Sequence, residues 1–158
     1  GRVLNELLKK CFVGMSTLVV SRKAYESLKY GFNAKYEIIG DYDLVLRLAI
    51  DWDLASLQSP VSYYRWHGNN LSIKKMNLNN EEMLSWIDEM KNNKNFTKEK
   101  NFDYLVSLNH FYSALILILS KKRYFALKLI NKIKNFKLII FILILLILPN
   151  FLIKILRS

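Results

Sequence analysis

Cysteine is nearly absent from this chain, which contains only Cys11. A single cysteine excludes an internal disulfide and a metal site built from several cysteines, so the fold does not depend on an oxidising compartment. The sequence also lacks a glycine-rich phosphate loop, a His-Glu-x-x-His motif and a Gly-x-Ser-x-Gly motif. These absences argue against P-loop nucleotide hydrolysis, zinc proteolysis of that motif's type and α/β-hydrolase chemistry.

Acidic residues are absent after Asp103, whereas nine basic residues follow it. These are Lys121, Lys122, Arg123, Lys128, Lys132, Lys134, Lys137, Lys154 and Arg157. Residues 1–70 hold nine basic and seven acidic side chains, and residues 71–158 hold fifteen and six. The asymmetry predicts a polyanionic partner for the second half, either a lipid surface or a nucleic acid.

The start of the chain has no long apolar run within Gly1–Lys10, so we predict no signal peptide. The first residue is not methionine, which predicts that the chain is a piece of a longer polypeptide. Its 158 residues are enough for one hydrophobic core and not for two full domains. Because 52% of them are hydrophobic, the chain is not expected to be disordered.

The longest apolar run covers residues 138–148 and ends at Pro149. A helix of that length spans about half of a ~30 Å hydrocarbon core. Since basic residues flank the run, we predict a helix that lies in the membrane interface or dips into one leaflet. A buried C-terminal helix and a membrane-spanning helix are the alternatives. The apolar run between lysines favours lipid over nucleic acid as the partner.

Hydrophobic spacing predicts the remaining elements of secondary structure. The predicted helices are Val3–Leu8, Arg22–Lys29 capped by Ser21, Glu81–Met90, Phe102–Leu119 and a helical stripe within Lys121–Phe136. The predicted strands are Cys11–Val20, Leu54–Leu57 and Val61–His67. Between them, Phe32 and Tyr36 are predicted to pack inward near Asp41.

Residues 38–49 read Ile-Ile-Gly-Asp-Tyr-Asp-Leu-Val-Leu-Arg-Leu-Ala, a pattern that predicts a loop bringing an acid to the start of a helix. Asp41 occupies the expected N-cap position, where the helix dipole favours a carboxylate. Asp43 and Arg47 are four residues apart and can form an ion pair on one helix face. Taken alone, the pattern is explained by a capped helix with one ion pair.

Four features occur in order: a strand ending at residues 21–22, a turn at residues 31–32, the stretch at residues 40–49, and Pro-Val-Ser-Tyr-Tyr-Arg-Trp-His-Gly-Asn-Asn-Leu-Ser at residues 60–72. Together they resemble the C-terminal half of family 2 glycosyltransferases, which have the GT-A fold. In that family, Glu-Asp-x-Asp-Leu-x-Leu-Arg-Leu opens a helix, and a later Tyr-Arg-x-His followed by Asn and Ser ends a strand. The resemblance implies an α/β fold: the C-terminal part of a GT-A mixed sheet, followed by a helical region.

The resemblance implies a role for each residue of the first motif. Asp41 is the general base that takes the proton of the acceptor hydroxyl during sugar transfer with inversion. Tyr42 lines the acceptor pocket. Asp43 is either structural, paired with Arg47, or in contact with the acceptor.

The second motif implies the donor side. By resemblance, His67 completes a site for Mn²⁺ or Mg²⁺, although a turn-capping histidine is an equal alternative. Arg65 either faces the donor diphosphate or pairs with Asp51 or Asp53. Three aromatic residues that can stack on sugar rings are expected to be core residues instead: Trp52, Tyr63 and Trp66.

The chain departs from the family pattern at Gly40, where the family has a glutamate that binds the acceptor. An Asp-x-Asp metal motif on a strand-to-loop transition is also absent. The nucleotide-binding half is therefore predicted to be missing, and the fragment is expected to be inactive alone.

These observations predict three segments. Residues 1–72 form the acceptor-side part of a GT-A catalytic domain, residues 73–136 a helical region, and residues 137–158 an apolar, basic, membrane-associating helix.

The predicted enzyme is a family 2 glycosyltransferase of hexosyltransferase type. It uses a nucleotide-sugar donor and a glycan or lipid-linked acceptor for a bacterial surface polysaccharide. The predicted location is the cytoplasmic face of the inner membrane, on an anionic lipid surface without nucleic acid. A non-enzymatic, basic membrane-binding module is the alternative.

Overall fold

The computed structural model describes residues 1–65, 67, 70 and 74–148. The chain divides into two compact units, Gly1–Asn101 and Phe102–Ser158. The first unit contains α1 (Leu4–Lys9), α2 (Arg22–Glu26), α3 (Gly40–Asp51), α4 (Met76–Met90) and α5 (Lys94–Thr97), with a 3₁₀ turn at Met15–Thr17. The second unit contains α6 (Phe102–Leu119), α7 (Arg123–Lys128) and α8 (Phe136–Ile147), with a 3₁₀ turn at Ile130–Lys132. The predicted functional division at residues 72 and 136 stays a prediction.

The predicted α/β fold with a mixed GT-A sheet is wrong, because the residues that the structure describes include no β-strand. The segment predicted as the first strand contains the 3₁₀ turn, and Val19 within it is 93% exposed. The described residues of the other two predicted strands are irregular, and Leu57 and Tyr63 point into solvent. β-branched and aromatic residues favour extended backbone, but a strand is stable only when a neighbour pairs with it and covers one face. Gly1 and Leu54 exchange a pair of backbone hydrogen bonds, but neither residue lies in a strand.

Several predicted helices are confirmed. Ser21 caps α2, since its Oγ accepts a hydrogen bond of 3.2 Å from the backbone N–H of Ala24. The predicted bounds of α6 agree with the structure, and α1 is displaced by one residue. The long helices were predictable because their apolar periodicity extends over several turns.

The stripe predicted within Lys121–Phe136 is interrupted. It is divided between α7, the 3₁₀ turn and the first residue of α8. Asn135 accounts for the last break, because its Oδ1 accepts hydrogen bonds from the backbone N–H groups of Lys137 and Leu138 and so starts a new helix.

The core of the first unit forms around α3. Leu7 and Leu8 of α1 are almost fully buried, and α1 packs against α3. Trp86 of α4 is fully buried and makes an edge-to-face contact with Phe96, with 5.1 Å between ring centroids. Tyr36 is buried as predicted, whereas Phe32 is 54% exposed and that prediction is wrong.

The core of the second unit forms where α6 packs against α7 and α8. Its buried residues are Phe111, Ala114, Ile118, Ala126, Ile133, Ile142 and Leu145. By length and composition, α6 is the one helix within the described residues that is sufficient to cross a membrane, with a mean hydropathy of 1.4 and 39% of it buried in the structure. α8 is apolar but shorter, with 12 residues.

Candidate functional site

The candidate base, Asp41, lies in the first turn of α3. The helix begins at Gly40 with Ile39 as the N-cap, so the predicted N-cap role of Asp41 is wrong. Instead, Asp41 Oδ1 accepts a hydrogen bond of 2.7 Å from the backbone N–H of Tyr42, one of the amides that a helix start leaves without an intrahelical partner. Asp41 is half-buried.

The neighbouring acid, Asp43, is fully buried and belongs to the scaffold of the site. Arg47 donates to Asp43 Oδ2 from Nη2 at 2.8 Å and from Nε at 3.0 Å, which confirms the predicted ion pair. The indole Nε1 of Trp86 donates to Asp43 Oδ1 at 3.0 Å. A buried carboxylate with both oxygens engaged is compatible with the interior, because charge and hydrogen-bond donors compensate for its lost hydration.

Arg47 connects the same network to the turn before α3. Its guanidinium donates to the backbone oxygens of Tyr30 at 2.8 Å and Gly31 at 2.6 Å. It also lies over the Tyr30 ring, 4.3 Å from the centroid. The turn, α3 and α4 are therefore joined through one ion pair.

The loop leading to Asp41 is held by Glu82 of α4. Its carboxylate accepts hydrogen bonds from the backbone N–H groups of Glu37, Ile38 and Ile39 at 2.8, 2.9 and 3.1 Å. Three backbone amides directly before α3 thus share one buried acceptor.

Two more residues on the same face of α4 extend this attachment. Trp86 follows Glu82 by four residues and reaches Asp43, and Glu89 follows by seven. Glu89 pairs with Lys35 and accepts a hydrogen bond of 3.0 Å from the Tyr36 hydroxyl. This function of α4 was not predicted from the sequence. The i, i+4, i+7 spacing was visible, but the sequence did not show which loop would contact that face.

The protonation of Glu82 links this attachment to pH. Burial alone would raise the pKa of Glu82, but the three backbone N–H groups, aided by Lys75, outweigh burial and lower the pKa below its usual range. Since the folded-state pKa is depressed, the stabilisation is present above the unfolded-state pKa of about 4.3 and is lost as the pH falls through the lower folded-state value.

We expect Glu82→Gln to destabilise the chain by about 2 kcal/mol at neutral pH, because a neutral amide replaces an acceptor of three hydrogen bonds. The deficit relative to the parental chain should begin to shrink as the pH falls below the unfolded-state pKa of about 4.3, and it should be lost below the lower folded-state pKa of Glu82. Urea unfolding at both pH values measures this difference. Glu81→Gln, at the exposed neighbouring position of α4, is the control. An equal loss for both variants would contradict the attachment.

Tyr42 and Cys11 are neighbours of the candidate base. The Tyr42 hydroxyl donates to the backbone oxygen of Leu7 at 3.3 Å, and burial raises the pKa of Tyr42. Desolvation also raises the pKa of the Cys11 thiol, with a smaller contribution from the negative charge of Asp41. Both groups are therefore neutral at pH 7, and Asp41 lies within electrostatic reach of Cys11.

Arg65 and His67 are linked by backbone hydrogen bonds to Asn70, which is buried. Asn70 Oδ1 accepts from the backbone N–H of His67 at 2.8 Å, and its Nδ2 donates to the Tyr64 hydroxyl at 2.7 Å and the Arg65 backbone oxygen at 3.3 Å. The described residues Tyr64, Arg65, His67 and Asn70 of the second motif are thus joined by hydrogen bonds. The side chains of Arg65 and His67 are exposed.

Other predictions for this region have mixed outcomes. Asp53, proposed as a partner of Arg65, instead lies 3.9 Å from the guanidinium of Arg2. Trp52 packs against buried residues of α2 and α3, as predicted for a core residue, and its indole donates to Ser27. Tyr63 is fully exposed, so its core assignment is wrong. Trp66 lies outside the described residues.

The described residues do not fit a complete metal site. Within residues 1–65, 67, 70 and 74–148, no three His, Cys, Asp or Glu side chains are grouped so that they could hold an ion. The divalent metal predicted for the full-length enzyme stays a prediction.

Two pockets of the first unit are lined by other residues. One of about 260 Å³ is apolar and lies between α1, α2 and α3, where Leu7, Ala24 and Leu48 contribute to its wall. The second, of about 300 Å³, is bordered by charged residues that include Arg2 and Lys98. The predicted site residues are not among those that line these two pockets in the described part of the chain.

Comparison with known proteins returned no match among family models, curated proteins or solved structures. The resemblance to family 2 glycosyltransferases therefore depends on the two sequence motifs alone. The family assignment stays a prediction.

Proposed function

We propose that this chain is the acceptor-side part of an inverting family 2 glycosyltransferase. In this proposal it transfers a sugar from a nucleotide-sugar donor to a bacterial surface polysaccharide or lipid-linked glycan. The observation that carries the proposal is that the two acids in the first turn of α3 differ in burial and in pairing. Asp43 is fully buried and paired, whereas Asp41 is half-buried on a helix start that Glu82 and Trp86 hold in place.

This arrangement suits a general base. As the acceptor hydroxyl oxygen attacks the anomeric carbon, its proton passes to the carboxylate of Asp41, and the nucleoside diphosphate leaves from the opposite face with the bonding electrons. One carboxylate suffices on the acceptor side, and a fixed position increases its efficiency. Asp43 is unsuited to this role because Arg47 and Trp86 already occupy its oxygens.

The donor side of the proposal rests on Arg65 and His67. The exposed guanidinium of Arg65 has the planar shape that suits a diphosphate. A divalent metal would neutralise that diphosphate when bound, but no step assigned to this chain runs through it. The proposal assigns the remaining donor contacts to a separate nucleotide-binding part of the enzyme.

The proposal is tested by joining the chain to the nucleotide-binding half of a family 2 glycosyltransferase and assaying transfer to glycan acceptors. We expect transfer with inverted anomeric configuration, and calorimetry of the unjoined chain should show no binding of nucleotide sugars with Mn²⁺. A retained configuration, or micromolar nucleotide-sugar binding by the chain alone, would contradict the proposal.

A second candidate function, non-enzymatic membrane binding, is favoured by the exposed apolar surface of the second unit. Large apolar side chains of α8 remain exposed, and the same unit is strongly basic. Both candidates are compatible with peripheral or monotopic attachment to the cytoplasmic face of a bacterial inner membrane. They differ in their dependence on Asp41, which only the enzyme needs.

A further inference from the structure

α8 carries apolar residues on all sides, and within the described part of the chain only one side is covered. Ile142 and Leu145 are buried in the core of the second unit. The opposite side exposes a continuous stripe whose members follow one another at i, i+4, i+7, i+8 and i+11, which places them on one helix face. We call it the α8 stripe, and it consists of Phe136, Ile140, Leu143, Ile144 and Ile147, which are between 42% and 84% exposed.

Backbone groups at both ends of α8 have side-chain hydrogen-bond partners, which makes the helix compatible with an apolar environment. At the start, Asn135 accepts hydrogen bonds from the backbone N–H groups of Lys137 and Leu138. At the end, the Arg123 guanidinium donates to the backbone oxygens of Leu146 and Leu148. Helix-end groups without partners are costly in lipid, where water cannot replace them. Side chains of this unit satisfy groups at both ends.

The charge of the surrounding surface selects among the partners that could cover the stripe. Residues 102–148 contain seven basic side chains and one acidic side chain, a net charge of +6. That one acid, Asp103, is already paired with Lys134 at 2.9 Å. A second copy of the chain would bring two strongly positive surfaces together, which is unfavourable. An anionic lipid surface attracts lysines instead, and each lysine near it raises the membrane-binding affinity by about tenfold or less.

Exposed residues of α7 have the same amphipathic character. Lys128 lies over the Tyr124 ring, 4.6 Å from the centroid, and Phe125 is exposed beside them. Such side chains place their apolar parts in the acyl boundary and their polar ends among the headgroups.

The length of α8 favours a position in the interface. With 12 residues it is about 18 Å long, which is shorter than a ~30 Å hydrocarbon core.

We propose that the α8 stripe lies in the plane of an anionic phospholipid interface, with the lysines of the second unit at the headgroups. This inference rests on the second candidate function and names its lipid-contacting face and orientation. It does not require the enzymatic assignment of Asp41.

The first test uses the full chain with phosphatidylcholine vesicles, with and without phosphatidylglycerol. We expect binding that requires phosphatidylglycerol and weakens with salt. The double variant Ile140→Glu, Ile144→Glu should bind at least about tenfold more weakly, because it places charge on the inserted face. The double variant Leu57→Glu, Val61→Glu is the matched control, since it adds two glutamates at residues of the first unit that are 80% and 60% exposed.

Each result supports or overturns a distinct statement. Full binding by the double variant Ile140→Glu, Ile144→Glu would overturn the assignment of the α8 stripe as the lipid-contacting face, but not membrane binding itself. Failure of the parental chain to bind either vesicle would overturn both the assignment of the stripe and membrane binding. Equal binding to both vesicle types would overturn the requirement for anionic lipid. A dimer in sedimentation that the double variant abolishes, without vesicle binding, would assign the stripe to a second copy. Far-UV circular dichroism checks that the variants fold.

The orientation is tested with an environment-sensitive dye on single cysteines. In a Cys11→Ser background, Ile140→Cys, Leu143→Cys and Ile147→Cys should report the same depth in quenching by lipid-bound nitroxides. A depth that increases steadily along the helix would show that α8 dips into or crosses the bilayer, and would overturn the in-plane arrangement.

Discussion

Asp41→Asn is expected to lower the kcat of the joined, transfer-competent protein by about 10²- to 10⁴-fold, with little change in donor KM. Asparagine preserves the shape of the side chain and can still accept the hydrogen bond from the Tyr42 N–H. It cannot take the acceptor proton. The loss should therefore appear in the chemical step and not in folding.

The matched control for this prediction is Asp51→Asn, which removes an exposed carboxylate from the last turn of the same helix. We expect its kcat to equal that of the parental protein. Parental turnover in Asp41→Asn would remove Asp41 as the base. An equal fall in both variants would show that the charge of α3, and not a proton transfer, is responsible.

Asp43→Ala is expected to destabilise the chain by about 3–5 kcal/mol, measured by urea unfolding at neutral pH. The substitution leaves the Arg47 guanidinium, whose side chain is 11% exposed, without its carboxylate. It also leaves the buried indole N–H of Trp86 without an acceptor. Both partners then incur a desolvation cost that no new contact offsets.

The chain contains a control with the same spacing. Arg22 and Glu26 also form an i, i+4 ion pair, at 3.2 Å, but their side chains are 90% and 65% exposed. Glu26→Ala should therefore change stability by no more than about 0.5 kcal/mol. A comparable loss in the two variants would show that the ion-pair spacing, and not burial, determines the effect.

The two largest predictions are separable because neighbouring acids have different environments. Asp41→Asn should lose turnover but unfold at the same urea concentration as the parental protein. Asp43→Ala should unfold at a lower urea concentration than the parental protein. Asp43 was identified from its spacing to Arg47, but its complete burial was not. Trp86 and Glu82 were missed because their partners lie more than 40 residues away in the sequence.

Some errors of the sequence analysis have a common physical origin. Val19, Leu57 and Tyr63 have the composition of strand residues, and all three are exposed. Their intrinsic preference for extended backbone is weak compared with the pairing that makes a strand. Asn135 shows the reverse, because one local side-chain hydrogen-bond acceptor was enough to begin a new helix in an otherwise continuous helical pattern.

The amino-acid sequence by itself determined features that depend on near neighbours: the periodic helix α6, the Ser21 cap, the Asp43–Arg47 pair and the concentration of positive charge after Asp103. Only the tertiary structure decided which of the two acids is buried, which face of α4 holds the loop before Asp41, and which side of α8 is left uncovered. Short-range contacts follow from spacing along one helix. Burial depends on which distant segment arrives to exclude water, and spacing carries no information about that.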